Sequence, residues 1–228
     1  VWDQRQFKDL AGDAELGTRT VKLALRRLRH FARAGAAEEL DLDATVRGTA
    51  EQGFLDVRLR PERRNTVKLL IFFDIGGSMD WHIGEVEMLF AAARAEFKHL
   101  RTFYFHNCIY DHVWTSNARR REDQLGTYDL IHTFGSDYRV VFVGDASMSP
   151  YEITAPGGAV DHWNAEPGAL WMQRIAATYR RVAWLNPVAE AQWPYTQSIG
   201  LMRQIVEGRM YPLTLGGLDD AMRALSRS

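Results

Sequence analysis

Two aspartates in this chain each close a run of apolar, strand-forming residues. Asp74 follows Val67 to Phe73 (VKLLIFF), and Asp145 follows VVFVG. After Asp74 come Ile75, Gly76, Gly77 and Ser78. The two glycines allow a sharp backbone turn, and Ser78 presents a hydroxyl where a following helix would begin. In an open α/β sheet the working crevice lies beyond the carboxyl ends of the central strands, where the strand order reverses. Two carboxylates and a hydroxyl arriving there make an all-oxygen site. Such donors suit a hard cation, Mg²⁺ or Mn²⁺, whose octahedral shell at about 2.0–2.1 Å usually keeps several exchangeable waters. The plain alternative for Asp-Ile-Gly-Gly-Ser is a turn with a helix cap, and the second carboxylate at Asp145 weighs against it.

Other chemistry fits less well. His106, Cys108 and His112 offer nitrogen and sulfur within one short connection, as zinc prefers. Their spacing is not a standard one, and alternating directions along short strands would scatter them over both faces. The segment is read as a hairpin with incidental histidines. A Mg²⁺-dependent phosphatase or phosphotransferase using Asp74 as nucleophile is the competing reading from a different class. Haloacid-dehalogenase-like phosphatases typically show Asp-x-Asp, whereas Gly76 stands two residues after Asp74, and no lysine falls at a later strand end near the crevice. No G-x-G-x-x-G or G-x-x-x-x-G-K-[ST] follows any strand, so nucleotide binding is set aside.

The elements needed to position these residues can be read from periodicity. The near-continuous apolar run before Asp74 predicts a central parallel strand covered on both faces. Ile83, Val86, Leu89, Phe90, Ala93 and Phe97 then recur at helical spacing. Strands are predicted at Thr102 to His106, Tyr110 to Trp114, Arg139 to Val143, Val182 to Leu185 and Met210 to Leu213. Helices are predicted around Asp129 to Thr133, Ala169 to Tyr179, Thr196 to Glu207 and Leu218 to Leu225. The alternation implies an α/β fold with a doubly wound, mostly parallel, Rossmann-like sheet. The gap between the Thr102 and Tyr110 strands is too short for a crossover, so that pair is expected to be antiparallel, at one edge. Upstream, residues 1–65 are read as an extension packed on a main domain over 66–228. It holds an amphipathic basic helix over Arg19 to Arg33, a short helix over Asp41 to Thr49 and a half-buried strand over Phe54 to Leu59. Of the tryptophans, Trp114, Trp163, Trp171, Trp184 and Trp193 are expected in the core. Trp81 and the loop Ser147 to Tyr151 are expected to flank the metal.

The segment Asp74-Ile75-Gly76-Gly77-Ser78 resembles the metal-ion-dependent adhesion site of von Willebrand factor A (VWA) domains, whose motif is Asp-x-Ser-x-Ser followed by a Thr and an Asp. Asp74 and Ser78 match its first and last positions, and Gly76 stands where the motif has its first Ser. Thr127 in GTYD is the best match for the Thr, with Thr133 and Ser136 as alternatives, and Asp145 matches the final Asp. The order ELDLDATVRGTA, LDVRLRPERR and VKLLIFFDIGGSM is similar to that of CoxE-like VWA proteins. The resemblance implies a bacterial cytoplasmic, non-catalytic module working beside a MoxR-type AAA+ ATPase in maturation or remodelling of a client protein. It also implies a divalent cation at Asp74, Gly76, Ser78, Thr127 and Asp145, with Ser78 and Thr127 as direct ligands and a partner's acidic side chain completing the shell.

Composition narrows the partners. With 28 Lys+Arg against 29 Asp+Glu, no overall field favours nucleic acid or an anionic membrane. The 46% hydrophobic content suffices for a packed core. A lone cysteine, Cys108, excludes an internal disulfide and fits a reducing compartment, so a cytoplasmic location is expected. No apolar run reaches the roughly 18–20 residues of a membrane span. A chain opening on Val1 is expected to be part of a longer protein.

Overall fold

The computed structural model describes residues 25–26, 38–61 and 67–226. Seven strands form the main sheet, in the order β6-β5-β4-β3-β7-β8-β9. Its centre is β3 (Lys68–Asp74), flanked in parallel by β4 (His99–Phe105) and β7 (Arg139–Val143). Parallel strands β8 (Val182–Asn186) and β9 (Met210–Pro212) extend one side. On the other side β5 (His112–Trp114) runs antiparallel to β4, as the short connection requires. Outside it lies β6 (Gln124–Gly126), antiparallel to β5, a three-residue strand with too few residues to show a period. The strand order reverses between β4 and β7, on either side of β3.

Successive side chains of a strand point to opposite faces, and β3 buries both. Leu69, Ile71 and Phe73 join one core layer, Leu70 and Phe72 the other, all at most 2% exposed. At about 1.5–3 kcal/mol per fully buried large apolar side chain, this strand anchors the fold. The first layer is closed by α2 (Ile83–Glu96) and α7 (Leu215–Ser226). Val86, Leu89, Phe90, Ala93 and Phe97 are buried as their spacing predicts, while Ile83, at the first turn, is exposed. The second layer is closed by α3 (Thr127–Thr133), α4 (Pro150–Thr154), α5 (Gly168–Thr178) and α6 (Gln197–Ile205). The four-residue apolar stack Phe103, Phe72, Phe142 and Trp184 crosses this face with ring centroids 5.2–5.4 Å apart.

Of the predicted helix over Arg19 to Arg33, only residues 25–26 lie within the described part. They are helical, and Leu25 is buried in the first core layer. Helix α1 (Leu42–Gln52) is capped by Asp41, whose carboxylate accepts from Ala44 N, and ends on Gly53 at φ 73°. The half-buried strand expected over Phe54 to Leu59 is not found. Only β2 (Leu59–Pro61) pairs, with β1 (Glu38–Leu40), in a separate two-stranded sheet. The segment docks on α1 through polar groups instead. Thr49 Oγ1 accepts from Asp56 N, Thr45 Oγ1 accepts from Arg58 N, and the Thr45 hydroxyl donates to Arg58 O. Phe54, Leu55 and Val57 are all exposed, because the bonds to α1 are made by the segment's backbone and bury neither row of side chains. No described helix is long and apolar enough to cross a membrane.

Candidate metal centre

The β3–β4 and β3–β7 registers place Asp74 beside Phe105 and bring the end of β7 level with it. Asp74 and Asp145 are therefore delivered to one end of the sheet from adjacent strands, and both are buried, at 3% and 2% exposed. Asp74 Oδ1 accepts from Asn107 N at 2.8 Å, and Asp145 Oδ1 accepts from Ser147 N at 2.9 Å. Burial raises the Asp74 pKa well above its ordinary value of 3.8, and the charge of Asp145 raises it further. The backbone N–H groups of Asn107 and Ile75 oppose that rise, while Glu152 adds to it. A cation beside these carboxylates would favour their charged forms.

Space at this corner is set by glycine. A Cβ on Gly144 would lie 2.7 Å from Asp74 Cβ and 3.0 Å from Asp74 Oδ2, with Trp184 Cζ2 at 3.3 Å. The missing side chain is the room the Asp74 carboxylate occupies. Backbone strain concentrates here as well. Asn107 and Ala146, next to the two carboxylates, hold φ of 61° and 54°, which non-glycine residues seldom adopt.

After Asp74 the chain turns at Gly76 (φ 87°, ψ 174°) and Gly77 (φ 60°) into a 3₁₀ turn, Gly77–His82. The Gly76 conformation belongs to a region that is essentially glycine-only. Glycine at position 76 is thus what this backbone requires. His106 Nε2 lies 3.8 Å from the position a Gly76 Cβ would take, with His106 Nδ1 bonded to Asp161 Oδ2 at 2.5 Å. Ser78 is exposed, and Trp81 in the same turn is 90% exposed.

Thr127 stands at the start of α3, at the sheet end where β3 finishes, because β5 and β6 double back in turn. It is fully buried, its hydroxyl donating to Tyr110 O at 2.6 Å and its backbone N–H to Asp111 O at 2.7 Å. Its donor capacity is used there, and a lone pair is what it has to offer a cation. Ser136 is placed elsewhere. It precedes Asp137, which pairs with Lys68 at the opposite end of β3, 2.7 Å away. Thr133 is the last residue of α3, which Thr127 opens.

Glu152, which sequence reasoning missed, is buried behind Asp74. It accepts from Asn107 Nδ2 at 2.8 Å and from Ser149 N at 3.2 Å, completing a capping box on α4. The Ser149-x-x-Glu152 spacing with Pro150 was the available signal for that helix. His106 and Asn107 had no such signal. Cys108 is buried, and burial pushes its thiol pKa up, away from a metal-binding thiolate. Trp114, Trp171, Trp184 and Trp193 are core residues as expected, whereas Trp163 is 76% exposed and Tyr151 74%.

A seven-stranded, mostly parallel sheet with an antiparallel edge and helices on both faces is consistent with the VWA fold. Residues 14–124 match the family model described as VWA domain containing CoxE-like protein, which supports a CoxE-like VWA protein. The matched span runs from the N-terminal segment through β3, the Asp74–Ser78 turn and β4 to β5, and ends before Thr127 and Asp145. No curated protein and no solved structure matches the chain.

Proposed function

We propose that this chain is a cation-dependent protein-interaction module, an adaptor for a MoxR-type AAA+ ATPase in maturation or remodelling of a client protein in the bacterial cytoplasm. VWA domains are generally non-catalytic modules that mediate protein interactions and commonly bind a divalent metal, and the CoxE-like family is associated with MoxR-type ATPases. The observation that carries the reading is the pair of buried carboxylates, Asp74 and Asp145, near enough for the charge of one to act on the other, with exposed Ser78 four residues after Asp74.

The donor set is hard oxygen throughout, which fits Mg²⁺ or Mn²⁺. Ser78 and Thr127 are assigned as direct ligands, with Asp74 and Asp145 holding the ion directly or through water. Gly76 supplies the turn that aims Ser78. A bound cation would supply a coordination position open to an acidic side chain of the partner. Exposed Trp81 and Tyr151, carried by the loops that follow Asp74 and Asp145, give that partner an aromatic rim, a favoured composition for interfaces.

The test is capture of a purified MoxR-type ATPase by the full chain in Mg²⁺, then in chelator. Capture lost in chelator, in Asp74→Ala and in Ser78→Ala, with the fold intact by circular dichroism, is the expected result. Capture that survives chelator overturns it. Mg²⁺-dependent turnover of an aryl phosphate, lost in Asp74→Ala, would support the phosphatase reading instead.

A further inference from the structure

A second cluster lies at the β5 side of the same sheet end. Asp111, His112 and His162 each offer one ligand atom, and these atoms all lie within 4.8 Å of one another. Asp111 Oδ1 is 2.8 Å from His112 Nδ1 and 3.0 Å from His162 Nε2. The two imidazoles are 4.5 Å apart by ring centroid, and both are partly shielded from solvent, with side chains 14% and 24% exposed. Among the described residues this is the group of three imidazole and carboxylate side chains whose ligand atoms converge so closely.

We propose that Asp111, His112 and His162 form a second metal site, for a borderline transition-metal ion of the Zn²⁺ class. Two imidazole nitrogens and one carboxylate oxygen are a donor set that zinc takes at about 2.0–2.2 Å, and ligands so placed around a tetrahedral ion sit roughly 3.3 Å apart. The two separations from Asp111 Oδ1, 2.8 and 3.0 Å, need only slight opening. A hard cation preferring six oxygens has no comparable claim on this set, so the two centres differ in ion as well as in place.

The surroundings suit ligation. His112 Nε2, the nitrogen turned away from Asp111, lies 3.0 Å from Gln124 Nε2 on β6; with Nδ1 on a metal, Nε2 carries the proton, and the Gln124 amide turned to present Oε1 accepts it. Metal-ligating histidines are typically held this way, the second ring nitrogen engaged by an outer partner that fixes the ring. His162 packs edge-on against Tyr110 with centroids 5.6 Å apart, which restricts its rotation. A cavity bounded by His106, Tyr110, His112, Trp114, Asp161 and His162 opens beside the cluster.

Occupancy has a structural consequence. His112 belongs to β5, whereas His162 belongs to the loop over 155–167, otherwise joined to this side of the sheet by Asp161 through His106 and Arg119. A metal bond at His162 clips that loop to the sheet and, through the adjacent Asp161, holds His106 behind Gly76. The same loop carries exposed Trp163. The second ion is therefore placed to fix the rim of the candidate Mg²⁺ site without sharing a ligand with it.

The experiment is a calorimetric Zn²⁺ titration of the full chain in saturating Mg²⁺, with Co²⁺ absorption as an independent reading of coordination. One Zn²⁺ per chain and a tetrahedral Co²⁺ spectrum are expected. Affinity should fall more than the roughly 10–100-fold that loss of an outer partner costs, in both His112→Gln and His162→Gln. Asp74→Ala should bind Zn²⁺ unchanged, which separates this site from the cation site of the proposed function. Zn²⁺ should also slow proteolytic cleavage within 155–167 in the wild type but not in His162→Gln. No Zn²⁺ uptake, uptake indifferent to both histidine variants, or uptake abolished by Asp74→Ala overturns the proposal.

Discussion

Gly144→Ala probes the corner on which the candidate centre is built. The added methyl would sit 2.7 Å from Asp74 Cβ, 3.0 Å from Asp74 Oδ2 and 3.3 Å from Trp184 Cζ2. Carbon atoms in ordinary contact lie at about 3.5–4.0 Å, so the closest approach is short by roughly 1 Å. Neither neighbour can withdraw easily. Asp74 is fixed by its pairing with Phe105 of β4, by Phe73 before it pairing with Val143 of β7, and by the Asn107 N–H at 2.8 Å. Trp184 is fully buried, donates from Nε1 to Gly144 O at 2.7 Å, and is stacked on Phe142. Overpacking of this kind costs about 1–3 kcal/mol. At roughly 2–4 °C per kcal/mol for a chain of this size, Tm should fall by about 2–12 °C. The cation response should shrink too, because the methyl displaces the carboxylate itself. For the wild type, Mg²⁺ at 100 times its Kd should stabilise by about 2.7 kcal/mol, or roughly 5–11 °C. Thermal melts with and without Mg²⁺ read both effects. Gly84→Ala is the control, since its Cβ meets nothing within 4 Å and it lies in α2, where alanine is favoured by up to about 1 kcal/mol. A Gly144→Ala protein that melts with the wild type and keeps its full Mg²⁺ response would refute the packing argument.

Two further predictions concern the same loops. Gly76→Ser, which restores the motif's hydroxyl, should cost about 1–3 kcal/mol because serine is forced to φ 87°, and Mg²⁺ titration should show no gain in affinity. Asp74 has a folded pKa above its unfolded value, so between the two the folded chain binds more protons. Without metal, stability should therefore fall as pH rises from about 4 through the raised value. Asp74→Asn should flatten that fall in denaturant titrations across pH and reduce the Mg²⁺-induced rise in Tm to about zero; a wild-type pH slope in the variant would show that another group titrates.

What could be read without coordinates was local. The apolar run of β3 and the helical spacing of α2 are properties of short stretches, because burial on two faces or on one stripe leaves its period in the sequence. An Asp closing each of two such runs, followed by glycines or a loop, located the sheet end that matters, and a short connection sufficed to make β5 antiparallel. The same logic failed over Phe54 to Leu59, where period-two alternation did not say which side would find a partner. The backbone N–H groups of Asp56 and Arg58 tie the segment to α1, and the apolar side chains Phe54, Leu55 and Val57 all stay exposed.

The remainder depends on which loops converge, and nothing local encodes that. Asn107 reaches Asp74 across 33 residues and Glu152 across 45, and His106 meets Asp161 across 55. His112 looked incidental beside Cys108, since the imidazole that completes its cluster comes from His162, fifty residues further along the chain. Sequence alone determined the central strands that end near Asp74 and Asp145, because a doubly covered strand follows from the residue types of one segment. Tertiary structure decided the glycine at 144, the carboxylate behind Asn107 and the paired histidines, because a close approach between distant segments is set by packing and leaves no periodic trace in either one.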